Sequence, residues 1–101
     1  MFIWIPVDGT DDINSKIVSQ FEAKKWALVN FENGRAKSVD FYDKREDSEE
    51  AWVEFAILIN KYENYIDLMN EGIMVLCVRE EETIEEIVSA FAFKELDEIG
   101  L

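Results

Sequence analysis

The chain has 101 residues, enough for one domain and too short for two. Apolar residues make up 49% and charged residues 33%, which provides both a core and a wet surface. Ten Lys and Arg against 23 Asp and Glu leave a net charge of -13, and such a surface repels phosphate backbones and anionic headgroups, so neither nucleic acid nor membrane is an expected partner. The absence of His removes imidazole general-base catalysis, Ser-His and Cys-His nucleophiles and every His-containing metal site. The single Cys cannot form an intramolecular disulfide. Met1-Phe2-Ile3-Trp4 opens without a basic leader, and no apolar run approaches the roughly 18 residues of a membrane span. The expected setting is reducing and cytoplasmic, with an unidentified protein as partner and the oligomeric state open.

Taken in chain order, Phe2 to Val7 reads as a buried strand closed by Asp8-Gly9. Asp11-Asp12 followed by Ile13, Ile17 and Phe21, four apart, predicts a short helix with an acidic first turn. Lys25 to Phe31 and Arg35 to Tyr42 form the arms of a hairpin, with Glu32-Asn33-Gly34 supplying the positive φ of its tip. Val39 and Phe41 alternate with Ser38 and Asp40, as expected of an edge strand with one wet face. Residues 43 to 50 are a charged connection. The stretch from Trp52 to Ile59 fits a helical face or a buried strand; Ala56-Ile57-Leu58-Ile59 would be apolar all round a helix, so a strand over 54 to 59 is predicted. Tyr62, Tyr65, Ile66 and Met69 give a helical stripe that Gly72 stops. Ile73 to Val78 reads as a central strand. Thr83 with Glu86 is a capping box, and Ile84, Ile87, Val88, Phe91 and Leu96 continue a helix towards Leu96. The result is an α/β domain over residues 1–101 whose sheet is expected to be mostly parallel with an antiparallel member.

In such sheets, ligands collect outside the carboxyl ends of parallel strands, here Asp8 to Asp12, Asn60-Lys61 and Arg79 to Glu82. Asp8, Asp11 and Asp12 could hold a hard cation such as Mg²⁺, although acidic clusters also arise by chance in so acidic a chain. Cys77 lies inside an apolar run without a cationic neighbour in sequence and reads as a buried structural thiol. Trp4, Trp26 and Trp52 read as core packing. Phe93 and Tyr42 are candidates for isolated exposed apolar residues. Glu80-Glu81-Glu82 suits a helix start. No phosphate loop, nucleophile elbow or acid/base pair is present.

The order of residues resembles the accessory family of nitrogenase iron-molybdenum cofactor biosynthesis, the NifX type and the C-terminal part of NifB. Ile3-Trp4-Ile5-Pro6-Val7-Asp8 resembles its first strand, and Gly72-Ile73-Met74-Val75, Thr83-Ile84-Glu85-Glu86 and Ala90-Phe91 resemble its last strand and helix. Gln20-Phe21-Glu22-Ala23 stands where that family has His-Phe-Gly-Arg. The resemblance implies a ribonuclease H-like three-layer fold with a mixed sheet of about five strands, an early hairpin and a C-terminal helix, without nuclease chemistry. It also implies a cofactor region at Asp8, Gln20, Phe21 and Asn60. Three departures bear on function: Gln20 replaces the His ligand, Glu22 and Ala23 replace Gly and Arg, and Asn60-Lys61-Tyr62-Glu63-Asn64 lacks the family's Asn-Ile-Gly-Pro turn. The helix before Trp52 is shortened to a charged segment. An anionic cluster wants thiolate, imidazole or cationic support. The expectation is therefore a non-enzymatic accessory or interaction domain without a cofactor. The alternative is a carrier of an iron-molybdenum or iron-sulfur cluster that uses Cys77 or ligands from a second subunit.

Overall fold

The computed structural model describes residues 1–9, 12–49 and 52–99. Strand β1 (Phe2–Val7) is apolar on both faces, and from Ile3 onward all of it is buried. β2 (Lys25–Glu32) and β3 (Arg35–Tyr42) form the expected hairpin, whose tip places Asn33 at φ 54 and Gly34 at φ 81. Two consecutive left-handed residues match the twist of the flanking strands. β4 (Phe55–Leu58) and β5 (Met74–Cys77) lie within the predicted strands, and Asp97–Glu98 adds a short β6. The six strands run in the order β3-β2-β1-β4-β5-β6. This corrects the expectation of about five strands. Antiparallel pairings at β1–β2, β2–β3 and β5–β6 accompany parallel ones at β1–β4 and β4–β5, so the sheet is mixed and not mostly parallel. β3 takes the predicted edge position.

One helix covers each face. On the first, α2 (Ile84–Ala92) sets Ile84, Ile87, Val88 and Ala90 against Ile3, Ile5, Ala27, Val29 and Ile57. Each large apolar side chain so buried contributes about 1.5–3 kcal/mol. The capping box is present: the Glu86 N–H donates to Thr83 Oγ1 at 3.2 Å and the Thr83 N–H donates to Glu86 Oε1 at 3.2 Å. On the second face, α1 (Ile66–Asn70) buries Leu68 against Trp4, Leu58, Ile73 and Val75. No helix among the described residues is long and apolar enough to cross a membrane.

Three predicted helices come out shorter. Where residues 11 to 21 read as helical, Asp12–Asn14 make one 3-10 turn and the chain then runs extended. Tertiary hydrogen bonds take its backbone: the Ile17 N–H donates to the Glu82 carbonyl at 2.7 Å and the Val18 N–H to that of Pro6 at 3.1 Å. Ile17 is buried and Phe21 is 97% exposed, so the four-residue spacing does not mark one face. The stripe from Tyr62 to Met69 contracts to α1, because Asn64 Oδ1 accepts the Ile66 N–H at 3.1 Å and fixes the start there. Gly72 (φ 83) follows it as expected. α2 ends at Ala92, and Lys94 at φ 58 turns the chain so that Leu96 enters the core from outside the helix.

Among the described residues of the segment after β3, a 3-10 turn at Arg45–Asp47 is the one helical element, in line with the shortened helix expected there. The face beneath it is closed by side chains. Trp26 and Tyr42 meet Trp4 edge-on at 6.1 and 6.0 Å between ring centres. The Arg45 guanidinium lies 5.5 Å from the Trp26 ring centre and makes a two-pronged ion pair with Glu71 at 3.0 Å. Trp52 departs from the core role expected of it and is 81% exposed. Tyr42 packs against the core, whereas Phe93 is an exposed aromatic.

Candidate functional site

Parallel strands β1, β4 and β5 point their carboxyl ends at one rim of the sheet, so the loops after Val7, Leu58 and Cys77 converge there. The loop before β2 joins them because β2 runs antiparallel to β1. The structure therefore gathers the neighbourhood of the four predicted residues, but it commits most of their polar atoms to loop closure.

Gln20 links two loops. Its N–H donates to Glu63 Oε1 at 2.6 Å, and its side-chain Nε2 donates to the Asn64 carbonyl at 2.8 Å. The other oxygen of Glu63 accepts the Ile59 N–H at 3.2 Å, so one half-buried carboxylate holds loop 18–24 to loop 59–65. Ser19 and Glu22 close the turn around Gln20: the Ser19 hydroxyl donates to Glu22 Oε1 at 3.1 Å and the Glu22 N–H donates to Ser19 Oγ at 3.2 Å. Phe21 protrudes from this turn into solvent, as Tyr62 does from the facing loop at 84% exposure.

Asn60 spends its Oδ1 on the Tyr62 N–H at 2.9 Å, a local Asx turn. Asp8 Oδ1 accepts the Lys16 N–H at 3.1 Å, while the Asp8 N–H donates to the Lys16 carbonyl at 3.0 Å. Of its proposed acidic companions, Asp12 is exposed, and Asp11 lies outside the described residues. Among the described residues, no group of three His, Cys, Asp or Glu is placed to hold a metal ion. After β5, the Arg79 and Glu80 N–H groups donate to Glu81 Oε1 at 2.9 and 3.3 Å. Burial would raise the Glu81 carboxyl, but backbone donation from Arg79, Glu81 and Glu80 and the Arg79 charge hold it below its ordinary value. Cys77 is buried, as read from sequence; burial first, and the Asp97 charge second, push its thiol above its ordinary value.

Glu63 is the residue that sequence reading missed. Its flanking Asn60 and Asn64 signal turns, but nothing in linear spacing connects position 63 with position 20. Gln20 is placed at the rim, and it serves there as a structural tie. Phe21 and Tyr62 are exposed aromatic residues on the two loops that Glu63 and Gln20 tie together.

No family model matches this chain, and no curated protein matches it. Solved structures do share its fold. A protein designated PH0822 superposes with a TM-score of 0.75 at 15% identity, covering 97% of this chain and 96% of that one. A Methanocaldococcus jannaschii protein described as a "putative dinitrogenase" (MJ0327) gives 0.74 at 20% identity over 99% and 95%. A Thermotoga protein described as a "putative NifB protein" (TM1290) gives 0.70 at 22% identity over 96% and 91%.

Proposed function

We propose that the chain is a non-enzymatic accessory or interaction domain on a ribonuclease H-like three-layer scaffold, related to nitrogenase cofactor carriers and without their ligand set, acting in the cytoplasm. The two neighbours described in nitrogenase terms support the nitrogenase-related theme at the level of fold. One observation carries the functional part. At the position where the resemblance implies a His ligand, Gln20 is bound through both its backbone N–H and its side-chain amide to the facing loop, and the group that receives the N–H is the carboxylate of Glu63.

An iron-molybdenum cluster as cargo fits these residues poorly. The cluster is anionic, and the rim sets the carboxylates of Glu63 and Glu22 and a Cys77 thiol pushed up by burial against the cations Lys61 and Arg79, the second of which is paired with Asp97. A carboxylate facing an anionic cargo at about 4 Å costs roughly 1 to 4 kcal/mol, depending on the local dielectric. That is comparable to the gain from a single added ligand. Phe21 and Tyr62 instead present the amphipathic aromatic surface that protein interfaces favour.

Anaerobic titration of isolated iron-molybdenum cofactor tests this reading on three proteins: the natural chain, Gln20→His, and Gln20→His combined with Glu22→Gly and Ala23→Arg. The expected order is no tight binding by the first two and a gain in the third, which loses a repelling charge and acquires a cation. Tight binding by the natural chain would overturn the reading in favour of a cluster carrier. Tight binding by Gln20→His alone would refute the charge argument.

A further inference from the structure

The tip of the β2–β3 hairpin carries a reactive pair of groups. Asn33 and Gly34 are both exposed, at φ 54 and φ 81. A side-chain amide can react with the backbone nitrogen that follows it when neither is held elsewhere. Among the described residues, no hydrogen bond engages the Asn33 side chain or the Gly34 N–H. The ladder closes on Glu32 and Arg35 at either side of the tip and leaves the Gly34 nitrogen to solvent. A Cβ built at Gly34 would meet no atom within 4 Å beyond its chain neighbours, and glycine carries none, so the approach to that nitrogen is open. The other asparagines differ. After Asn14, Asn30 and Asn70 the next N–H is taken: Ser15 donates to the Asp12 carbonyl at 3.0 Å, Phe31 to that of Met1 at 2.7 Å, and Glu71 to those of Asp67 and Leu68 at 3.2 and 3.1 Å. Asn60 and Asn64 spend their Oδ1 atoms on the Tyr62 and Ile66 N–H groups at 2.9 and 3.1 Å, and each precedes a residue with a long side chain, Lys61 or Tyr65.

We infer that Asn33 is a site of spontaneous deamidation through a cyclic imide formed with Gly34, with water as the co-reactant. Solvent base takes the Gly34 amide proton, the nitrogen bonds to Asn33 Cγ, and the Cγ–Nδ2 bond breaks to release ammonia. Water then opens the ring. Cleavage of the new Cγ–N bond gives Asp, whereas cleavage of the original peptide C–N bond gives isoaspartate, whose chain runs through Cβ. Either route consumes one water, releases one ammonia and adds one negative charge. The two products differ in what they do to the hairpin. Asp-Gly suits the same type of tip, and its carboxylate enters a concavity that Asn33 shares with Arg35, a cation without an ion pair among the described residues; Glu32 there is already paired with Lys37 at 3.4 Å. Isoaspartate instead inserts a backbone atom into a tip whose neighbours Glu32 and Arg35 stand in direct register. It therefore loosens β3, which as an edge strand has β2 as its one neighbour in the sheet.

The inference does not depend on the rim. Folded protein is incubated at neutral and at mildly alkaline pH, and every asparagine is followed by peptide mapping with mass spectrometry. Isoaspartate is counted separately, by methyl transfer from S-adenosylmethionine with an isoaspartyl methyltransferase. Conversion at Asn33 is expected to run at least about tenfold faster than at any other asparagine, about 1.4 kcal/mol in the barrier. It should accelerate as pH rises and yield isoaspartate as well as Asp. Asn33→Gly, which keeps a tip of the same type, should abolish most of the ammonia release. Isoaspartyl protein separated by ion exchange should melt lower than Asn33→Asp, which has the added charge without the added backbone atom. Equal rates at Asn33 and at Asn60 or Asn64, Asp without isoaspartate, or ammonia release that Asn33→Gly leaves unchanged would overturn the inference. An isoaspartyl form that melts together with Asn33→Asp would overturn the loosening of β3.

Discussion

Cys77 ends β5 and is 6% exposed, and that burial decides its chemistry. Only the thiolate reacts readily, and desolvation disfavours it. Native protein should therefore label slowly with Ellman's reagent and denatured protein fast; equal fast labelling would place the thiol outside the core. The raised thiol value also has a thermodynamic sign. The unfolded chain loses this proton near the ordinary value of 9.0 and the folded chain only at higher pH, so the group's contribution is full below that pH and declines as pH rises through the folded value. Denaturant midpoints should fall with rising pH above about 9 and fall less in Cys77→Ala. Burial of this residue was legible in sequence, because an apolar run with Gly72 before it and Arg79 after it has few other ways to be satisfied. The role of Gln20 was not. Its position at the rim could be placed by resemblance, whereas its partners Glu63 and Asn64 lie 43 and 44 residues away in an unrelated stretch of sequence.

Signals that are local were realised where the chain announced them: the Asn33-Gly34 hairpin carries its own tip and the Thr83–Glu86 capping box its own helix start, whereas the end of that helix at Ala92 falls short of Leu96. The segment from Asp12 to Phe21 carries only spacing, and the backbone groups it would have used within a helix are taken by Glu82, Pro6 and Asp8. Isolated bridges at Val7–Ile17 and Lys16–Thr83 turn it into a lace between β1 and the start of α2. Loop 59–65 depends on tertiary partners in the same way. Because one carboxylate of Glu63 accepts N–H groups from both Gln20 and Ile59, Glu63→Ala should cost about 1.5–3 kcal/mol, the range for hydrogen bonds to a charged group. Amide exchange of Gln20 and Ile59 should accelerate more than that of the α2 core. Unchanged exchange at those two amides would show that the loops are held together by something else.

Across the whole molecule, a net charge of -13 on a Cα radius of gyration of 12.0 Å means that the folded state contains its own repulsion. The described residues offset it with four ion pairs: Lys25–Asp43, Lys37–Glu32, Arg45–Glu71 and Arg79–Asp97. Most are exposed, and exposed pairs contribute little. Raising sodium chloride from about 10 mM to 150 mM shortens the screening length from about 30 to 8 Å and should raise the melting temperature by roughly 4 to 8 °C, about 1 kcal/mol for a domain this size. A flat or falling melting curve would mean that the ion pairs outweigh the repulsion. The same field should leave DNA and RNA unbound at physiological salt, and a salt-sensitive gel shift at micromolar protein would contradict that. The strand order also sets an order of events in time. β2 and β3 are joined by a two-residue tip, but β1 reaches β4 only across a gap such as that between Phe2 and Glu54, 52 positions apart. Closing the longer loop costs more chain entropy before any contact returns it, so the antiparallel half of the sheet should nucleate and the parallel half condense onto it. In stopped-flow measurements, Gly34→Val, which puts a branched side chain at φ 81, should mainly slow refolding, while Val75→Ala in β5 should mainly speed unfolding. The reverse pattern would place the nucleus at β4 and β5, and a nascent chain would then stay unfolded until Cys77 at the end of β5 had left the ribosome.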